Sequence, residues 1–243
     1  MKVNQFLYQH AAWWFIGFFI LVLWAFWPSY FSKLHQQPDI RNHTHGVAMS
    51  LWCLMLITQA YLIRRKRFQL HRVIGKWSYV LMTFLIILTF NLIHSRLQKE
   101  GPLGTMDLVS LALMVNGTLA LMAIYGLAIY HRKRPLIHAR YMICTVFPLF
   151  TPLTDRLIYG HFRPLIQYVP TIEGNPIVPI VGFLMADLLV LGLILWDWKN
   201  DKRLDVFPKV LIILLIYHIS LFTFYKFGFW NDFGVWFLGL PLS

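Results

Sequence analysis

Seven runs of mostly apolar residues, each near the ~20 residues a helix needs to cross a bilayer, leave this chain little freedom in what it can fold into. They read as Ala11–Pro28, Gly46–Ile63, Ile74–His94, Thr105–Tyr130, Tyr141–Tyr159, Ile177–Trp196 and Val210–Tyr225. They take up most of the 243 residues, so no sizeable soluble domain fits beside them. Only 13% of the residues are Asp, Glu, Lys or Arg, against about 25% in soluble domains. That is too little charge to solvate a globular surface. The expectation is an all-α, polytopic helical bundle of seven transmembrane helices. It forms a single transmembrane domain over residues 1–243 and is surrounded by the lipid bilayer. Pro148 and Pro152 fall inside the fifth run and predict a kink there, because each removes a backbone donor from the helix ladder.

The net charge of +12 does not indicate nucleic acid, because its Lys and Arg flank the apolar runs. Arg64, Arg65, Lys66, Arg67, Arg72 and Lys76 surround the second connection, Arg132, Lys133, Arg134 and Arg140 the fourth, and Lys199, Lys202, Arg203 and Lys209 the sixth. With Lys2 they put fifteen of the 22 Lys and Arg on one side. Lys33, Arg41, Arg96, Lys99, Arg156, Arg163 and Lys226 remain on the other. The positive-inside rule makes the basic side cytoplasmic, with the N-terminus inside and the C-terminus outside. No small-residue cleavage pattern follows the first run, which reads as an uncleaved anchor. Trp13, Trp14, Trp24, Trp27, Trp196 and Trp198 stand near run ends, where indoles favour the headgroup layer. Residues 227–243, apolar but broken by Gly, read as a tail along the outer interface.

An ionisable side chain inside a membrane is costly to bury, which makes it a functional candidate. From His45, the residues Met49, Trp52, Leu56 and Gln59 fall on one face of the second span at ~100° per residue. That face should point into the bundle, either as interhelical hydrogen-bond partners or as the wall of a site. In the fifth span His138, Thr145, Leu149, Pro152 and Arg156 share a face if the helix is straight, with Arg156 placed to bind a carboxylate such as Asp107 or a cofactor propionate. His71 opens the third span as His138 opens the fifth, at similar depth. Two imidazoles facing each other across a bundle are what a bis-histidine haem requires; the alternative is a pair of headgroup-level histidines in basic loops. Asp187, central in the sixth span, needs a partner, and His218 in the seventh is the candidate. For His45 the possible outer partners are His94 and His218, with His161 weaker. Cys53 and Cys144 both lie in apolar runs and suggest neither a disulfide framework nor a thiolate zinc site.

The segment HTHGVAMSLWCLMLITQAYLIRRKRFQLHRVIGKW, residues 43–77, and RKRPLIHARYM, residues 132–142, followed by Arg156, resemble the bacterial membrane family known as domain of unknown function 2306. The resemblance covers a core of about residues 43–160. It implies a bacterial inner (cytoplasmic) membrane protein and singles out His45, Trp52, Gln59, His71, Gly75, His138, Arg140 and Arg156, without assigning them chemistry. A looser similarity is to ascorbate-reducible b-type cytochromes. The fourth span here has no histidine, so one haem fits that comparison better than two.

Three functional readings follow. The first is a b-type haem protein passing electrons to or from quinone or a redox partner protein. His71 and His138 would be its ligands, with His45, Gln59, Trp52 and Arg156 lining a second site. The second is a zinc or copper site drawn from His45, His94, His218 and Asp187, for hydrolysis or metal handling. The third is an accessory subunit or small-molecule carrier with no cofactor, in which the histidines are structural. Whether the chain is an enzyme stays open at this stage.

Overall fold

A computed structural model describes residues 3–98 and 101–242; Lys2 and Lys99 of the charge balance lie outside them. The helices are α1 (Val3–Phe26), α2 (Ile40–Arg64), α3 (Phe68–Leu97), α4 (Thr105–Tyr130), α5 (Pro135–Cys144), α6 (Phe150–His161), α7 (Pro179–Asp201), α8 (Phe207–Thr223) and α9 (Gly228–Leu238). Among the described residues seven spans are long and apolar enough to cross a membrane, α5 and α6 together forming the fifth. The chain is a multi-pass, all-α membrane protein. In sheet form the described residues hold only a two-stranded hairpin, Thr171–Ile172 with Asn175–Pro176, in the connection before α7.

The spans close into a ring. α1 packs on α2, α2 on α3, α3 on α4, α4 on α8, α8 on α7, α7 on α6, and α6 returns to α1. α5 lies against α4. The inward faces are large and apolar: Leu111, Ile124, Leu214 and Leu221 are fully buried. Lipid-facing positions are equally apolar, among them Leu188, Leu195, Ile212 and Ile216, which in water would be an aggregation surface and in a bilayer is the solvated one. Trp13, Trp14, Trp24, Trp27 and Trp198 are exposed at span ends, as their amphipathic rings favour.

The fifth span does more than kink. Pro148 and Pro152 cannot donate to the carbonyls four residues back, so α5 stops at Cys144. The N–H groups of Thr145 and Val146 turn back three residues to Met142 and Ile143, at 3.3 and 3.4 Å. A short 3-10 turn, Phe147–Leu149, leads into α6. The straight-helix arithmetic that aligned His138 with Arg156 therefore fails, since the span is not one continuous helix.

α6 and α7 meet closely at Gly182. A β-carbon there would stand 2.6 Å from both Thr151 Cα and Thr154 Oγ1, inside any tolerable contact. Gly182→Val should lower the thermal midpoint in detergent by the equivalent of ~1–3 kcal/mol. Gly192→Val on the same helix, with nothing within 4 Å, should leave it nearly unchanged.

The tail is more ordered than a Gly-broken apolar segment suggests. α9 buries Trp230 and Phe237 against α3 and α4. It is fixed by hydrogen bonds that run across to those helices. The Trp230 indole donates to the Leu108 carbonyl at 3.0 Å, Asn91 donates to the Leu242 carbonyl at 2.6 Å, and His94 Nε2 meets the Leu238 carbonyl at 3.2 Å.

Candidate functional site

A cavity of about 570 Å³ opens among α1, α2, α3, α5 and the end of α4, within the ~300–1,000 Å³ typical of ligand pockets. Most of its wall is apolar, including Phe15, Met55, Leu56, Ile63, Met142 and Ile143. Its cationic residues, Arg72, Lys76, Arg132 and Arg140, come from the basic end of the bundle. His71 from α3 and His138 from α5 both line it, with Gln59 from α2 and Ser78 from α3. The pairing of His71 with His138, legible only as equal depth in the sequence, is thus a shared cavity.

Each imidazole is held by its Nδ1. His138 Nδ1 lies 2.8 Å from the Ala128 carbonyl of α4; a carbonyl only accepts, so the proton sits on Nδ1 and Nε2 keeps its lone pair. That is the arrangement by which a second-shell carbonyl prepares a histidine for a metal. His71 is gripped by Gln59. With its amide nitrogen toward α3, Gln59 donates to the His71 carbonyl at 3.1 Å and to His71 Nδ1 at 2.5 Å, while its oxygen accepts from the Gly75 N–H at 3.2 Å. This orientation satisfies every group and puts the His71 proton on Nε2. The reverse would let Nδ1 donate to the amide oxygen and free Nε2, at the cost of setting two oxygens against each other.

On the cavity wall, Ser78 donates to the Gly75 carbonyl at 2.6 Å and pairs with the Tyr125 hydroxyl behind it at 2.9 Å. Trp52 packs edge-on against Tyr125, centroids 5.5 Å apart. Trp52 is fully buried and its indole N–H has no acceptor among the described residues. It supports the site from behind and does not line the cavity. The predicted inward face of α2 is real, since Trp52, Leu56 and Gln59 are all buried, but only its lower part reaches the cavity. His45 binds Thr89 Oγ1 through Nδ1 at 3.2 Å near the other end of the bundle. Arg156 is there too, its guanidinium over the Phe26 ring at 5.9 Å. Asp107 instead caps α4, accepting from the Gly104 N–H at 2.8 Å.

The four residues considered for zinc or copper do not gather in one place; of them only Asp187 and His218 meet. His45 is with Thr89, His94 lies under α9 edge-on to Phe237, and His218 Nδ1 meets Asp187 Oδ2 at 3.1 Å between α8 and α7. Among the described residues no three His, Cys, Asp or Glu side chains are grouped as a metal site would need. The expected Asp187–His218 partnership does form, with Phe183 stacked on the imidazole at 4.0 Å.

The strongest electrostatic feature beside the cavity was not visible in the sequence. Arg140, also on the cavity wall, makes a two-pronged pair with Asp197 of α7 at 2.6 and 2.7 Å, both side chains 1% exposed. A second bond, at 3.3 Å, reaches Asp205 in the α7–α8 connection, which Arg203 also binds. α5 is thereby anchored to the far side of the ring. Burial acts to raise the Asp205 pKa, but the Arg203 hydrogen bond and the charges of Arg203 and Arg140 outweigh it and hold the carboxyl below its ordinary range. A depressed folded pKa adds stability above the ordinary carboxylate value of ~3.9, which is lost as pH falls through the folded value. Thermal melts between pH 3 and 7 should therefore show a stability loss on the acid side that is smaller in Asp205→Asn.

No protein-family pattern matches the chain, and neither a curated protein nor a solved structure matches it.

Proposed function

We propose that the protein is an electron-transfer protein of the bacterial inner membrane that binds one haem b in the cavity between His71 and His138. The observation that carries the reading is the convergence of two histidines, from α3 and α5, on one apolar cavity, with His138 already in the ligand tautomer. When bound, haem supplies one-electron chemistry; the chain supplies axial ligands, an apolar shell and charge. Arg72, Lys76 and Arg132 offer cations for its two propionates. Ligation by His71 requires Gln59 to present its oxygen to Nδ1. The electron partner would be quinone or a second protein at the basic, cytoplasmic face.

A second reading draws on the Gln59 orientation that satisfies all its neighbours. His71 then offers an N–H and His138 a lone pair, which together suit a quinone carbonyl and a quinol hydroxyl without haem. Titrating haem into protein made in haem-limited cells separates the two. The haem reading expects saturation at one haem per chain, lost in His138→Ala. Absence of saturable binding, with a fluorescent ubiquinone analogue displaced by quinone, would favour the second.

A further inference from the structure

The wall of the His71–His138 cavity joins long apolar surface to positive charge, and no Asp or Glu lines it. On α3 the lining residues Phe68, Arg72, Gly75, Lys76 and Tyr79 recur at helical spacing, a strip of ~16 Å at 1.5 Å per residue. Arg132 joins them from the end of α4, and Leu136, Met142 and Ile143 line the cavity from α5. Arg72, Lys76 and Arg132 are exposed and stand at headgroup level, beside the basic loops. Phe68, Tyr79 and Leu136 line the cavity and are also largely exposed, so its apolar wall runs out to the protein surface.

The positive-inside rule accounts for cations in these loops, but not for their place on the wall of an apolar cavity that lacks a carboxylate. Among the described residues Arg72, Lys76 and Arg132 form no ion pair. Arg72 donates to the Phe68 carbonyl at 3.4 Å and Arg132 to the Ile129 carbonyl at 3.3 Å. Each contact uses one of the five N–H donors of a guanidinium. The carboxylates at this end are engaged elsewhere. Asp197 and Asp205 hold Arg140 and Arg203, and Asp201, the last residue of α7, is not free. Arg140 is thus the one lining cation with its charge balanced. Beyond the cations the wall is apolar, with Phe15 from α1, Met55 and Leu56 from α2, and Met142 and Ile143 from α5.

We propose that this cavity binds a long-chain fatty acid taken from the leaflet at the basic end of the bundle. Arg72, Lys76 and Arg132 hold its carboxylate, and the chain lies among α1, α2 and α5. The inference rests on the cavity and its charge and goes beyond the haem reading, since it uses no axial ligand. A neutral amphiphile leaves three cations without a role, whereas a carboxylate accepts the paired donors of a guanidinium. The volume of about 570 Å³ is that of a site for one ligand, so haem and the fatty acid exclude each other. His138 separates the two readings. Its Nδ1 donates to the Ala128 carbonyl, which leaves Nε2 with a lone pair and nothing to offer an anion.

The probe is oleic acid carrying a diazirine, photo-crosslinked to delipidated, detergent-solubilised protein from haem-limited cells, with its methyl ester as the uncharged control. Labelled peptides are mapped by mass spectrometry, and thermal melts confirm that each variant is folded. One label per chain is expected on the cavity residues of α2 or α5, with the ester labelling at least tenfold less. Arg72→Gln with Arg132→Gln should lower labelling at least tenfold. Lys133→Gln with Arg134→Gln, cations of the same loop that do not line the cavity, should retain it. His138→Ala should also retain it while losing haem, so failure of either reading leaves the other standing. Equal labelling by the ester, undiminished labelling in the folded Arg72/Arg132 variant, or an equal loss in either of the other two variants overturns the assignment. Displacement of the probe by phosphatidylglycerol at equal concentration overturns it too, in favour of a phospholipid.

Discussion

Asp197→Ala should destabilise the protein by about 3–5 kcal/mol, the cost of removing one partner from a buried ion pair. Arg140 is 1% exposed, and the change removes its two-pronged acceptor. Asp205 holds it by a single bond at 3.3 Å and is itself shared with Arg203. Loss should appear as a lower midpoint in thermal or denaturant unfolding of the detergent-solubilised protein. Replacing both charges by apolar residues of similar volume, Arg140→Met with Asp197→Leu, should recover a large part of the loss, because the main expense lies in the stranded charge. The single variant should also weaken the cavity, since Arg140 stands two residues from His138 on the same short helix. A single variant as stable as wild type would mean that the pair does not anchor α5.

The second large effect is at the histidines. His71→Ala and His138→Ala should each weaken haem retention by more than the ~10–100-fold that loss of an outer-shell partner costs. Gln59 gives the sharper test. Gln59→Glu places an acceptor on His71 Nδ1 in either rotamer, which drives the ring proton to Nδ1 and frees Nε2. Haem binding should survive this change or tighten, and the reduction potential should fall as the ligand becomes more electron-rich. If the site instead uses His71 Nε2–H as a donor to a quinone, Gln59→Glu should weaken binding. Gln59→Leu should lower affinity for either ligand, by releasing the ring.

The fold was legible because membrane spans are written as long apolar runs, and the runs do not depend on which helices later become neighbours. Pro148 and Pro152 likewise announced a break, though not that α5 would end and restart through a 3-10 turn. The site was legible to the extent that depth along a helix predicts proximity. That sufficed for His71 with His138 and for Asp187 with His218. It failed for the His45, His94, His218 and Asp187 set: α2 and α3 are neighbours, yet His45 turns to Thr89 and His94 to the Leu238 carbonyl, while Asp187 and His218 pair between α7 and α8. His94 faces α9, a segment whose Gly-broken sequence gave no sign that it would form a helix and dock on α3 and α4. Arg140 and Asp197 are 57 residues apart on spans whose contact depends on ring closure. Asp197, between two tryptophans at a span end, reads as an ordinary interfacial carboxylate.

The reduced-minus-oxidised absorption spectrum of the protein purified from its membrane tests the central claim most directly. A Soret band that shifts on dithionite reduction, with the sharp α-band of a six-coordinate low-spin haem lost in His71→Ala and in His138→Ala, is the predicted result. Folded protein purified from haem-replete cells that shows no Soret band, and gains none on haem addition, would contradict it.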